Sequence, residues 1–319
     1  MLSFVVPAYN AERTLERCLA SIFAQDLDAQ TTAMEVLVVD NNSSDSTRET
    51  ALRFPVRLLS EPRPGAAAAR NRGIAESKGE RIALVDSDCE IPRDWARRAL
   101  RAMAEEGASA VGGPGRLPPE TRLARCLNGL HYGRPLEGKR RFVRSLATMD
   151  AIYEGSVLRQ NMFDTAYYWA EDAELNLRLV EAGHRLLFDP NLTVIHHHPT
   201  TLAGILRKWY EYGLQYPAPY LRRGRILSDP GFLPRLSYIP FLLVVLVLGS
   251  LHPVLWIAAV AFFLVLPLAY FLLGLRVVHG FDRLLFPLLH TLKQWAQMLG
   301  MLVGTLVPSQ RNRRKGDSG

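Results

Sequence analysis

The chain holds only three cysteines in 319 residues, Cys18, Cys89 and Cys126. They are far apart, odd in number and free of any CxxC spacing. Neither a disulfide framework nor a structural zinc site is indicated, and a reducing compartment fits. Formal charge is missing altogether from Leu236 to Leu275. The N-terminus lacks a basic region leading into a long apolar core, because the strand-like run Leu2 to Val6 begins at once. No secretory signal is therefore expected, and the first domain is expected in the cytoplasm. A net charge of +7 raises the question of nucleic acid. Much of the excess, however, lies at Arg222, Arg223, Arg225, Arg235, Arg276, Arg283, Arg311, Arg313, Arg314 and Lys315, beside apolar segments. That placement favours an anionic membrane surface and argues against a nucleic-acid partner.

Two short β-rich runs, Leu2 to Val6 and Val36 to Val39, flank a helix-like stretch that begins near Ala11, which makes a βαβ unit. A helical segment from Ala66 to Ser77 stops at Lys78-Gly79, and a third run, Arg81 to Val85, follows. The alternation predicts an α/β fold with a mostly parallel, Rossmann-like sheet. Ligands of such sheets sit beyond the carboxyl ends of the strands. Here those ends carry Pro7-Ala8-Tyr9-Asn10, Asp40-Asn41-Asn42 and Asp86-Ser87-Asp88. The stretch from Pro114 to Phe142 reads as loops and short helices facing an acceptor. A helix is predicted from Glu171 to Ala182, stopped by Gly183, and a short strand from Leu192 to His196 closes this part.

Beyond Arg235, two uncharged runs, Leu236 to Leu251 and Val254 to Leu275, are separated by His252-Pro253. A bilayer core is spanned by about 20 apolar residues, so a transmembrane helical hairpin is expected, the first run being short for it. Arginines outside both ends place those ends in the cytoplasm. The segment Leu284 to Val307 is interrupted by His290, Lys293, Gln294 and Gln297 and reads as an amphipathic helix at the membrane interface. The expected organisation is a catalytic domain over residues 1–232, a hairpin over 233–276, and an interfacial helix with a basic tail over 277–319. A multi-pass protein of the cytoplasmic membrane, with membrane lipids among its partners, follows from it.

Asp86 and Asp88, one residue apart at a strand end, can together meet a hard cation and its phosphate ligands, and Mg2+ or Mn2+ suits two carboxylates. A solvated turn is the plainer alternative for such a tripeptide. Asp40 and the oxygen-rich run after it can hold a base and ribose, while Ser44 or Asp45 caps the helix starting near Ser46. The run Gly65 to Gly73 brings small residues, then Arg70 and Arg72, toward a phosphate-binding edge. Glu171 and Asp172 stand at a helix start, where they either act on substrate or complement the helix dipole.

The order VVPAYN at 5–10, VVDNNSSDST at 38–47, GAAAARNRG at 65–73, VDSD at 85–88 and EDAELNLRL at 171–179 resembles the family 2 glycosyltransferases of GT-A fold. The resemblance spans about 200 residues, and its five short pieces in register are far more specific than any one of them. It implies inverting transfer from a nucleotide-diphosphate sugar, with a metal bridging the diphosphate. By position, Asp40 would contact the nucleobase, Asp86 the ribose side and Asp88 the metal. Pro7, Tyr9, Asn10, Asn42 and Arg70 would complete the donor site, and Asp172, with Glu171 beside it, would be the catalytic base. His196 falls where the family often has a histidine and would join Asp88 and Asp86 around the metal.

Two departures stand out. Ile152-Tyr153-Glu154-Gly155-Ser156 precedes Arg159 where many relatives have Gly-Ala-Asn, which leaves the acceptor open between a lipid-linked saccharide and a growing glycan. Cys89 after the Asp-x-Asp is unusual and reads most simply as a small buried thiol. Trp169 could stack on a sugar ring or simply pack. Three rivals remain: an enzyme that glycosylates polyprenyl phosphate directly, an inactive membrane scaffold, and a nucleotidyltransferase.

Overall fold

The computed structural model describes residues 1–27, 33–118, 121–128, 139–167, 170–197, 201–217, 221, 232–249 and 252–306. Trp169 and His198 lie outside the described residues. The chain separates into two compact units, one formed by residues 1–118 with 136–198, the other by 119–135 with 199–311.

In chain order the α/β unit contains β1 (Leu2–Ala8), α1 (Leu15–Phe23), β2 (Met34–Asp40), α2 (Thr47–Ala51), β3 (Arg57–Ser60), α3 (Ala66–Glu76), β4 (Arg81–Val85), β5 (Cys89–Glu90), α4 (Trp95–Glu106), β6 (Ala110–Gly112) and β7 (Gly115–Arg116). After α5 (Arg122–Asn128) of the other unit come β8 (Arg141–Val143), β9 (Asp150–Glu154), α6 (Gly155–Gln160), α7 (Glu171–Glu181), β10 (Leu186–Phe188) and β11 (Val194–His196). The main sheet has the order β3-β2-β1-β4-β9-β6-β10-β8, and a small sheet has the order β5-β11-β7.

The central strands read as unbroken apolar runs because helices cover both faces of the sheet. Alternation within β1 shows the two sides. Leu2, Phe4, Val6 and Ala8 pack with Leu15, Cys18, Leu19 and Ile22 of α1 and Trp95 of α4. Val5 turns to the opposite core, with Ala67, Ala69 and Ile74 of α3 and Leu175 and Leu179 of α7. Gly73 lets α3 lie close to the sheet, since a Cβ there would come within 2.3 Å of Val5 Cγ1. The small residues of the 65–73 run thus serve packing first.

The main sheet is mixed: six of its eight strands point the same way, and β9 and β8 run against them. β9 runs antiparallel to both β4 and β6, and β8 antiparallel to β10. β9 inserts between β4 and β6, with Val85 opposite Asp150 and Val111 opposite Ile152. Its residues Asp-Ala-Ile-Tyr-Glu hold no long apolar run by which to read a strand. In the small sheet, β11 pairs antiparallel with β5, placing His196 opposite Cys89.

The second unit adds α8 (Leu202–Gln215), α9 (Phe232–Gly249), α10 (Pro253–Val277) and α11 (Asp282–Leu306). Among the described residues no helix is long and apolar enough to cross a membrane. This overturns the expected transmembrane hairpin, the multi-pass cytoplasmic-membrane location and the membrane character of the C-terminal helical region. Several side chains that suggested spans hold helix to helix: Tyr238 stacks on Phe262, Phe241 meets the same ring edge-on, Phe263 tilts against Trp295, and Tyr270 meets Phe286. α9 has only 18 residues and includes Arg235 and Pro240. Two of the arginines read as flanking anchors are engaged locally, Arg235 with the Tyr216 hydroxyl and Arg283 with the Val278 carbonyl, while Arg222, Arg223, Arg225, Arg311, Arg313 and Arg314 lie outside the described residues. The polar residues of α11 are likewise turned inward. His290 Nε2 lies 3.2 Å from the Cys126 carbonyl oxygen, and Lys293 sits 4.3 Å from the centre of the Trp209 ring. Burial lowers Lys293 to about 8.

Candidate active site

The carboxyl ends of β1, β2 and β4 lie side by side, with Ala8 in register with Asp40 and Val5 with Leu84. A cavity of about 490 Å³ opens there, lined by Tyr9, Asn10, Ala11, Glu12, Arg13, Thr14, Asp45, Ser87, Asp88 and His197. The edge predicted from alternation carries this cavity, where the topology of such sheets commonly places ligands.

Two loops that shape the cavity are tied to each other. Asn10 accepts a hydrogen bond from the Ser44 N–H at 2.9 Å, and Asp45 accepts from Glu12 N–H at 3.1 Å. Asp45 also accepts from the Thr47 N–H at 3.1 Å; it stands one position before the N-cap of α2, Ser46, whose own side chain makes no capping hydrogen bond. Among the described residues, left-handed backbone outside glycine occurs at Asn10, Asn42 and Ala170, with φ of 48°, 63° and 62°. All three belong to loops bearing candidate site residues, where local strain of order 1 kcal/mol is commonly held by surrounding structure.

The two aspartates of Asp86-Ser87-Asp88 face different partners. Asp86 Oδ1 lies 2.7 Å from the Arg70 guanidinium, whose other terminal nitrogen is 2.6 Å from Glu171 Oε1. The Arg70 side chain is only 5% exposed. Burial alone would lower its basicity, but Asp86 and Glu171 outweigh this and raise it. Arg70 is therefore a clamp between the end of β4 and the start of α7, not one of the cavity-lining side chains. Asp88 instead meets the second sheet: its Oδ1 is 3.0 Å from His196 Nε2, and its carbonyl accepts the His197 N–H at 2.8 Å. The carboxylate of Asp88, the thiol of Cys89 and the imidazole of His196 offer ligand atoms all within 4.8 Å of one another. Of the three residues expected at a metal, Asp88 and His196 converge, while Asp86 is held by Arg70. The Asp88–His196 pair fits a divalent cation, since carboxylate and imidazole both ligate such ions.

Asp172 sits in the first turn of α7, beside Glu171 and Glu174. Desolvation and the neighbouring Glu171 charge raise its carboxyl to about 7, against the opposing pull of Arg70. Its Oδ1 accepts the Ala173 N–H at 2.7 Å. Asp40 is buried, with its Oδ1 accepting the Ser43 N–H at 3.2 Å and its Oδ2 paired with Arg48 at 2.9 Å. Asn42 donates to the Pro62 carbonyl, and Pro7 is half-buried at the end of β1. Asp40, Arg70 and Asp172 are not among the cavity-lining residues.

Several site residues carry no strong sequence signal. Glu12, Arg13 and Thr14 line the cavity from the loop after β1. His197, hydrogen-bonded to Glu90, also lines it. Asp150 is fully buried near Asp86 and accepts from Gly113 N–H at 3.3 Å, and burial holds its carboxyl well above the usual range. The three adjacent histidines and the acid after Cys89 were the available signals for the His197–Glu90 pair.

Comparison with known proteins bears on the family and the fold. The chain is 34% identical over 118 residues to glycosyltransferase AglE of Haloferax volcanii, covering 35% of this chain and 38% of that one. It is 32% identical over 214 residues to the succinoglycan biosynthesis protein ExoO of Rhizobium meliloti, covering 61% and 60%. The matches thus span less than two thirds of either relative's length. The fold is shared with the mannosyltransferase PcManGT of Pyrobaculum calidifontis, solved with GDP-Man and Mn2+: TM-score 0.56 at 20% identity, covering 96% of this chain and 86% of that one. The family described as glycosyl transferase family 2 matches residues 3–166, more than half of the chain, and to that family this protein belongs.

Proposed function

We propose that the protein transfers a sugar, with inversion at the anomeric carbon, from a nucleotide-diphosphate sugar to a lipid-linked or glycan acceptor. The observation that carries the reading is that Asp88, in the wall of the strand-end cavity, meets the buried His196 at 3.0 Å. Two side chains more than a hundred residues apart, on β11 and at the foot of β5, converge where a donor diphosphate would lie. Asp88 and His196 would hold a divalent ion, which when bound would supply positive charge against the departing diphosphate. Among cavity residues, Tyr9 is 61% exposed and offers a face for the nucleobase, and Asn10 and Ser87 offer polar contacts to ribose and phosphate.

Inversion needs one carboxylate to take the proton of the acceptor hydroxyl as it attacks. Glu171 spends its charge on Arg70, so Asp172 is the free partner of the adjacent pair for that task. A carboxyl raised to about 7 is a stronger base than an ordinary aspartate while still ionising near neutral pH. Arg70 then fixes the base relative to the donor edge by gripping Asp86 and Glu171 together.

The test is donor binding and turnover in one protein set. Nucleoside diphosphates are screened by thermal shift with and without Mn2+, and the chosen nucleotide sugar is then assayed with a polyprenyl-linked saccharide, free polyprenyl phosphate and an oligosaccharide. One nucleotide should stabilise the chain more with Mn2+ than without. Asp88→Ala should remove the metal-dependent part, and Asp172→Asn should bind donor but not transfer. Unchanged turnover in both variants would defeat the proposal, and transfer to free polyprenyl phosphate alone would move the acceptor assignment.

A further inference from the structure

Cys89 is the member of the converging trio that sugar transfer leaves without a task. The β5–β11 register sets it opposite His196, so both side chains emerge on one face of the small sheet. Its sulfur is 4.0 Å from Asp88 Oδ1, which in turn is 3.0 Å from His196 Nε2. A tetrahedral ion with bonds of about 2.0 to 2.3 Å holds its ligand atoms about 3.5 Å apart. The three atoms, all within 4.8 Å of one another, are therefore within a small adjustment of that arrangement.

The donor set also differs in kind from what an oxygen-seeking ion selects. Mg2+ takes carboxylates, water and phosphate, whereas a sulfur, an imidazole nitrogen and one carboxylate oxygen suit zinc and cobalt. Access runs through the cavity, since Asp88 lines it while Cys89 and His196 lie buried behind. No second thiol belongs to the trio: Cys18 is directed to the Asp86 carbonyl at 3.4 Å, and Cys126 lies in the helical unit.

We propose that Asp88, Cys89 and His196 form a thiolate-containing site for a borderline-soft divalent cation of the zinc and cobalt class, and that this ion competes with the one supporting donor binding. Coordination forms a metal–sulfur bond, and the thiol proton passes to water. The coordination rests only on the location of the three residues, whereas the competition rests on the role in sugar transfer proposed above. Zinc is thereby an inhibitor of the full chain, taking up Asp88 and His196 in a geometry that leaves the diphosphate without its ion.

The test titrates the full-length protein with Co2+ and follows the near-ultraviolet sulfur-to-cobalt charge-transfer band. The wild type should develop the band, Zn2+ should abolish it, and Cys126→Ser should retain it. Cys89→Ser and His196→Ala, both checked for native circular dichroism, should each lose it. Zinc should inhibit Mn2+-supported donor turnover about tenfold more tightly in wild type than in Cys89→Ser. In wild type alone, Zn2+ binding should release a proton that Mn2+ binding does not. A wild type without the band, or a Cys89→Ser protein that keeps it, overturns the inference. If the band is absent while Mn2+ still strengthens nucleotide binding, only the thiolate site fails. If the band is present while Mn2+ has no effect on nucleotide, the proposed metal role in transfer fails and the thiolate site stands.

Discussion

At the scale of single residues, the buried Arg70 clamp decides how Glu171 and Asp172 divide their work. Removing one partner of a buried ion pair commonly costs about 3 to 5 kcal/mol, because the remaining charges are left without compensation. Arg70→Ala should destabilise the α/β unit on that order. Arg70→Lys should recover only part of it, since an ammonium cannot reproduce the fork that reaches Asp86 and Glu171 together. Denaturant unfolding of the three proteins measures this. Asp172→Asn should lower kcat by about 10² to 10⁴ while donor affinity holds. The rate of the wild type should rise with pH and level off above about 7, where Asp172 is ionised. Stability moves the other way. The folded carboxyl keeps its proton to about 7, while the unfolded one loses it near the ordinary 3.8, so stability is lost as pH rises between them. Asp172→Asn, which cannot ionise, should therefore gain melting temperature over wild type at pH 8 and little at pH 4. An equal gain at both values would show that the carboxyl is not held protonated in the fold. Sequence alone made the aspartates at the strand ends and helix start legible, since residue type and position coincide there. It did not show that Arg70 faces inward, because a cation in a small-residue run looks the same whether it meets a phosphate or two buried acids.

At the scale of elements, the strands and helices with strong periodicity were readable and the return strand was not. β1, β2, β4, α3 and α7 follow apolar runs or helix-period patterns whose edges carry punctuation, as at Lys78-Gly79 and Gly183. β9 is specified by its neighbours: Val85 pairs with Asp150 and Val111 with Ile152, contacts between distant segments that no local pattern announces. The helical segments were visible as helices, but their surroundings were not. Apolarity on every side was read as lipid exposure, whereas aromatic contact between α9, α10 and α11 accounts for several of those side chains. The packing of α11 against α8 depends on close backbone approach. A Cβ on Gly300 would come within 2.2 Å of the Tyr210 carbonyl oxygen, and one on Gly304 within 1.9 Å of that of Leu214. Because the obstacles are backbone atoms, Gly300→Ala and Gly304→Ala should each destabilise the helical unit by about 1 to 3 kcal/mol or more. Gly183→Ala, where nothing lies within 4 Å and only φ of +87° opposes a side chain, should cost about 1 kcal/mol. Thermal unfolding and limited proteolysis of the three variants would rank them, and a cost at Gly183 equal to that at Gly304 would remove the close-approach argument.

At the scale of the whole molecule, the two units carry different kinds of polar burial, and this predicts where a ligand is felt. In the α/β unit the acids gather at the strand ends around the cavity, with Asp88 in the wall and Asp86 and Asp172 close to Arg70. In the helical unit, Lys293 and His290 are enclosed between helices, where burial and the Lys293 charge lower His290 to about 3. A ligand that binds only the folded form stabilises it by about 2.7 kcal/mol at a hundred times its dissociation constant. That stabilisation is distributed according to which segments the ligand orders. With a nucleoside diphosphate and Mn2+ present, amide exchange should therefore slow over residues 7–14, 40–46, 86–90 and 170–174 and around His196, the segments joined by the hydrogen bonds of Asn10, Asp45, Arg70 and Asp88. Residues 282–306 of α11 should exchange as they do without ligand. Asp88→Ala should erase the Mn2+-dependent part of the protection at 86–90 and at His196 while leaving the nucleotide-dependent part at 7–14. Protection arising mainly in α11 would mean that the nucleotide binds the helical unit, and the strand-end cavity would lose its role as the donor site.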